Sequence, residues 1–262
     1  MLELIDVSKT FHPGTVNART ALDRIRLTLR DGDFVTVIGG NGAGKSTLMN
    51  AVAGTFPIDE GRILIDGEDV TRYPEHKRAA LLGRVFQDPM MGTAPTMEIQ
   101  ENLALALRRG KKRGLKWGIS KAEREDYYEL LKTLGLGLEE RMSAKVGLLS
   151  GGQRQALTLL MAALQRPKLL LLDEHTAALD PKTAAKVLEL SEKIVTENEL
   201  TTLMITHNMR DAIRYGNRLI MMDAGHIVAD ISGEAKKKLS VQDLLALFTD
   251  TDAGANDKLI LS

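Results

Sequence analysis

The chain has 262 residues, 44% of them apolar and 27% charged, a composition that fits one large folded domain or two small ones and excludes disorder along its whole length. Its 35 basic side chains are balanced by 35 acidic ones, so there is no global positive field to grip nucleic acid, and no nucleic-acid partner is expected. Cysteine is absent, which excludes a disulfide scaffold, a thiol nucleophile and a thiolate metal site.

The first residues, Met1 to Asp6, lack the basic start and apolar core of a signal peptide. No apolar run approaches the roughly 20 residues of a bilayer span. A cytoplasmic chain is expected, with any membrane role supplied by a partner. Further on, Ile25, Leu27 and Leu29 alternate with Arg24, Arg26, Thr28 and Arg30, the period of a half-buried strand. Asp31-Gly32-Asp33 reads as a turn and 34–38 as a buried strand. Glycine-rich residues 39–44 precede a predicted helix at 45–53, which Gly54 closes. Residues 62–65, Asp66-Gly67 and 68–70 predict a hairpin.

The character changes over 96–148. Leu and Ala recur at helical spacing over 98–108 and 121–134. Between them, residues 108–116 carry six positive charges. They could grip phosphates or lipid headgroups, but Gly110 and Gly114 break any ordered face, so a solvated loop is the reading. Trp117 is expected to pack on the following helix. The last third alternates: a buried helix at 154–165, an apolar strand at 169–172, a helix at 181–196 with Pro181 in its first turn, a strand at 201–205, a short helix at 208–215 and a strand at 218–223. Apolar strands alternating with helices imply a mostly parallel sheet covered on both faces, an α/β fold. Residues 1–95 and 150–262 would form the core, and about 96–149 a helical subdomain inserted in it.

Gly39-Gly40-Asn41-Gly42-Ala43-Gly44-Lys45-Ser46 fits G-x-x-x-x-G-K-[ST] in full. It lies between a predicted strand and a predicted helix, the context a phosphate loop requires. Glycines let backbone amides wrap a phosphate, and the positive helix end adds to the hold. Lys45 supplies a charge for the β- and γ-phosphates, Ser46 a hydroxyl for Mg²⁺, and Thr47 a contact for the α-phosphate. Asp173 and Glu174 end the apolar run 169–172. At that edge Asp173 would orient Mg²⁺ through water, and Glu174 would polarise an attacking water. Ser150 and Gln153 form a capping box, but Gly151 and Gly152 between them also expose amides at a positive helix end. A second anion-binding surface suggests that two chains share each nucleotide face to face.

With these motifs in this order, the chain resembles the ATP-binding cassette (ABC) ATPases, the motor subunits of ABC transporters, over about residues 1–250. Residues 39–46 resemble the Walker A loop, Leu149-Ser150-Gly151-Gly152-Gln153 the signature motif, and 169–174 Walker B. Gln87 in Val85-Phe86-Gln87-Asp88-Pro89 resembles the Q-loop, Asp180 the D-loop and His207 the switch histidine. The resemblance implies a P-loop NTPase core with an N-terminal antiparallel β subdomain. It implies that Phe11 stacks on adenine, with His12 as its rival, and that Gln87 joins Ser46 and Asp173 around Mg²⁺. Glu174 and His207 would then serve hydrolysis, and Ser150, Gly151, Gly152 and Gln153 would reach the nucleotide of a second ATPase subunit, a homodimer being expected. A separate transmembrane permease would carry the solute, with the ATPase on the cytoplasmic face of the membrane and an extracytoplasmic solute-binding protein supplying an importer. A soluble, non-transport ABC ATPase or regulator is the alternative. Exposed Met90 and Met91, with parts of 96–102, would line the groove where the permease docks, core gap-filling being the other use of methionine there. One departure stands out: His175 follows Glu174 where the family often has proline. The stretch 173–181 resembles importers that pair with tryptophan- or tyrosine-type binding proteins.

Overall fold

The computed structural model describes residues 1–111 and 118–249. Most of the basic run, 112–116, and Trp117 lie outside the described residues. The chain opens with two long strands, β1 (Leu2–Phe11) and β2 (Arg19–Leu29), then the buried β3 (Phe34–Gly39), the helix α1 (Lys45–Ala53), and the short strands β4 (Glu60–Ile65) and β5 (Glu68–Asp69). One turn of helix, α2 (Glu75–Arg78), leads to β6 (Leu82–Val85). The helical stretch follows as α3 (Ile99–Leu107), α4 (Lys121–Lys132) and two 3-10 turns, Glu139–Arg141 and Val146–Leu148. The rest alternates α5 (Gly151–Ala163), β7 (Leu169–Asp173), α6 (Pro181–Glu197), β8 (Thr202–Ile205), α7 (Met209–Arg214), β9 (Arg218–Asp223), β10 (His226–Ser232), α8 (Gly233–Lys237) and α9 (Val241–Thr249).

These strands make two sheets. One is antiparallel, ordered β2-β1-β4-β5; the other runs β10-β9-β3-β8-β7-β6, parallel except for the β9–β10 pair. The mostly parallel sheet and the antiparallel β layer agree with the sequence reading. Side-chain alternation decides which layer each central strand faces. Leu169 and Leu171 of β7, with Leu203 and Ile205 of β8, join α1 and the antiparallel sheet in one core. Leu170, Leu172 and Met204 point the other way, into a second core with α3, α4, α5 and α6. Both faces are covered, which is why these strands read as unbroken apolar runs.

The signature helix begins at Gly151 rather than 154. Ser150 is its N-cap, and the two glycines occupy its first turn, where amide donors have no partner within the helix. Strand β1 was not legible because register shifts interrupt its alternation. Edge strand β10 was missed because every second residue is exposed and the rest are only half-buried.

Candidate nucleotide site

Three parallel strands end side by side. Val37 of β3 pairs with Ile205 of β8, and Ile205 with Asp173 of β7. The next residues emerge at one edge: the 39–44 loop from β3, Glu174 from β7, and Thr206-His207 from β8. That carboxyl edge is where open parallel sheets bind ligands. The loop fits there only as glycine. A Cβ on Gly39 would collide with the Met222 carbonyl of β9, and one on Gly44, at φ 103°, with the Ala21 carbonyl of β2. Lys45, 5% exposed, folds back so that Nζ donates to the carbonyls of Gly39 at 2.7 Å and Gly40 at 3.0 Å.

Together these elements enclose a cavity of about 390 Å³, lined by Phe11, Arg19, Ala21, residues 41–47, Glu174 and His207. Asn41, Gly42, Ala43, Gly44, Lys45, Ser46, Thr47, Phe11, Glu174 and His207 are thus brought together. Phe11 stands edge-on to Phe56, ring centroids 5.4 Å apart at 80°. His12, its rival, is exposed and outside the lining. Glu174 sits at φ 44°, a left-handed turn that ends β7. Its N–H donates to the Ile205 carbonyl at 3.1 Å. Its side chain is 11% exposed, with Oε1 2.5 Å from His207 Nε2. Strained backbone of this kind persists where the surroundings over-determine it.

Gln87, Asp173, Asp180 and the signature residues do not line the cavity. Asp173 is the half-buried last residue of β7, 3.3 Å from Arg84 Nη2. Burial pushes its carboxyl up, against the pull of the Arg84 guanidinium. Gln87 is exposed just beyond β6. The preceding Phe86 carbonyl accepts a bond from Gln155 Nε2 of α5 at 3.2 Å, so the signature helix grips the base of the loop carrying Gln87. The capping box forms as expected: Ser150 Oγ accepts from the Gln153 amide at 3.3 Å and Gln153 Oε1 from the Ser150 amide at 3.2 Å. Gly152 lies against Thr183 of α6 so closely that a Cβ would collide. Asp180 caps α6 by accepting from the Thr183 amide at 3.1 Å; the Thr183 hydroxyl and then its amide hold the Asp180 carboxyl below the usual range.

Two residues escaped sequence reasoning. Arg19 faces Phe11 across the β1–β2 pair, and its Nη2 donates to the Gly42 carbonyl at 2.8 Å. Arg84 on β6 bridges Asp173 to Asn50 of α1, 2.6 Å away, with its guanidinium 4.6 Å over the Phe86 ring. Neither belongs to a local motif; only strand register reveals them. His175 points away from the cavity. It is 2% exposed, its Nε2 is 2.9 Å from Ser191 Oγ on α6, and burial pushes its pKa down to about 4. It is an internal group that sits behind the site, bonded to α6.

Comparison with known proteins agrees with this geometry. The ABC transporter family model matches residues 22–177. The chain belongs to the ABC transporter family. It is an ATP-binding, ATP-hydrolysing cassette. It is 44% identical over 248 residues to a tyrosine transport ATP-binding protein of Clostridioides difficile, covering 95% of this chain and 98% of that one. It is 38% identical over 234 residues to a methionine import ATP-binding protein of Rhizobium johnstonii, covering 88% of this chain. The cassette spans 60% of that relative's length. Among solved structures, a dimeric ATP-binding cassette in a post-hydrolysis state with ADP and Pi matches at TM-score 0.74 and 30% identity, covering 88% of this chain and 98% of that one. The ADP conformation of another cassette matches at TM-score 0.77 and 27% identity, covering 96% and 99%.

Proposed function

We propose that this cassette powers import of a small solute, an amino acid of the aromatic type, through a separate transmembrane permease at the cytoplasmic face of the membrane. An extracytoplasmic solute-binding protein delivers the solute. The observation that carries the catalytic reading is the Glu174–His207 pair beside the phosphate loop in one cavity. The substrate reading rests on the tyrosine transport relative, matched over nearly its whole length.

In this reading Phe11 supports the adenine. Amides of 39–44 and the α1 N-terminus hold the phosphates, and Lys45 exchanges its loop carbonyls for phosphate oxygens. Ser46, Gln87 and, through water, Asp173 offer hard oxygen donors that suit Mg²⁺, which supplies neutralisation of phosphate charge when bound. Glu174 accepts a proton from water while His207 orients that carboxylate and meets the γ-phosphate. Ser150, Gly151, Gly152 and Gln153 of a second subunit close the site, with Asp180 at the contact between subunits. The helical region at about 96–149 carries the signature to that closure.

Glu174→Gln should keep nucleotide affinity within about twofold and lower turnover by roughly 10²- to 10⁴-fold, the span of lost general-base catalysis. Equilibrium binding of ATP beside steady-state phosphate release measures both. Full-rate hydrolysis would remove Glu174 from this role.

Coupling to the permease falls at the loop after Gln87. Met91 is 69% exposed and Met90 39%. Met91 also lines a cavity of about 280 Å³ with Phe86, Arg84 and Arg109. Flexible methionines suit a groove that accepts a partner helix through a conformational cycle. Met91→Asp should leave the free subunit's ATPase near normal and reduce co-purification with the permease and uptake, because a carboxylate would be desolvated in the contact. Unchanged assembly would place the groove elsewhere.

A further inference from the structure

His175 follows the residue on which hydrolysis depends, yet it faces the opposite way, into the second core. Its imidazole has one bonded neighbour described, Ser191 Oγ at 2.9 Å. Ser191 directs its own hydroxyl proton to the Val187 carbonyl, 2.8 Å away on the same helix. The serine oxygen must therefore accept, so the proton of the neutral imidazole sits on Nε2. The result is a directional strut, N–H to O, from the neighbour of Glu174 to the middle of α6.

Helix α6 bears two further contacts. Its N-cap is Asp180, and the Thr183 methyl packs on Gly152 of the signature helix. One rigid element thus touches the signature at its start and His175 farther along. Glu174 meanwhile sits in a left-handed backbone conformation that a non-glycine residue adopts only when its flanks are fixed. Its amide is fixed by Ile205 on one side; on the other, the next side chain is His175.

We propose that His175 is a positioning residue, anchored by Ser191, that holds the Glu174 carboxylate toward His207 and the nucleotide cavity and ties that orientation to α6. This rests on the assignment of Glu174 to hydrolysis. No bond is made or broken; the histidine acts through backbone geometry.

The test uses the full chain with four variants. His175→Ala removes the strut, Ser191→Ala removes its anchor and keeps the core filled, the double variant removes both, and His175→Gln keeps an N–H able to reach Ser191. Expected results are a 10- to 100-fold fall in kcat for His175→Ala and Ser191→Ala, with ATP affinity and KM within twofold. The double variant should be no worse than the worse single, and His175→Gln should recover most of the rate. The His207 imidazole NMR signals should shift in both alanine variants, since its contact with Glu174 loosens. Thermal unfolding separates lost stability from lost positioning. A folded Ser191→Ala or His175→Ala with normal kcat overturns the proposal, as do losses that add in the double variant. Glu174→Gln run alongside keeps the two readings apart. If it hydrolyses at full rate, the role of Glu174 has failed; if it is inactive while the histidine variants are normal, only the positioning has failed.

Discussion

Arg19 reaches the nucleotide cavity from the strand opposite Phe11, and one of its five donors goes to the Gly42 carbonyl. Its guanidinium lines the same cavity as the phosphate loop, and a guanidinium suits phosphate oxygens. A hydrogen bond to a charged group contributes about 1.5–3 kcal/mol, so Arg19→Ala should weaken ATP binding by roughly 10- to 100-fold, with kcat at saturation little changed. Titration of ATP into Glu174→Gln and Arg19→Ala/Glu174→Gln measures this without turnover. An unchanged affinity would leave Arg19 as a brace for the loop alone. Such residues mark the limit of what the sequence tells. Lys45, Ser46 and Glu174 were legible because a phosphate loop and a strand end are local patterns, fixed by spacing along the chain. Arg19 and Arg84 acquire their neighbours through pairing between strands, which local spacing does not encode. His175 was visible as a departure, but its burial against α6 depended on the direction in which β7 turns at Glu174.

Helix starts show how far local chemistry carries. Ser120 caps α4 with Glu123 three residues on, the same reciprocal pattern as Ser150 and Gln153. The Ser120 amide, and then the Arg108 guanidinium, hold the Glu123 carboxyl down to about 2, from 4.5 in the unfolded chain. A carboxyl lowered in this way stabilises the fold fully above pH 4.5, and its contribution is lost as pH falls from about 4.5 to about 2. Solvent screens the pair, since both side chains are about one-third exposed. Glu123→Gln keeps the cap but not the charge, so it should be the less stable form at pH 7. The gap should close by about pH 2. Denaturant unfolding at stepped pH checks it; a gap constant with pH would mean that the charge contributes nothing. The buried strands were legible for a related reason. An unbroken apolar run such as 169–172 has few fates, and a sheet covered on both faces is one of them. Edge strand β10 fell outside that logic because exposure breaks its pattern.

At the scale of the molecule, three apolar clusters share one sheet, one beneath the antiparallel layer, one beneath α3 to α6 and one beneath α7 and α9. Ser150 and Gly151 remain exposed at the start of α5, outside the nucleotide cavity of their own chain. If ATP is what joins two such surfaces, Glu174→Gln should be monomeric without nucleotide and dimeric with it, because charge-assisted hydrogen bonds from both chains then meet on one phosphate group. Light scattering with and without ATP decides the point, and equal dimerisation in both conditions would sink it. Ser150→Arg should block closure with little change in the affinity of a single chain for ATP. The separation of Ser150 from Lys45 within one chain also has a genetic consequence. Ser150→Arg and Lys45→Ala are each expected to be inactive alone, yet a mixed pair would combine the sound loop of one parent with the sound signature of the other. Under two-fold pairing, an equal mixture should regain roughly a quarter of wild-type activity if the two sites turn over independently. Two null alleles would then complement each other inside a single assembly.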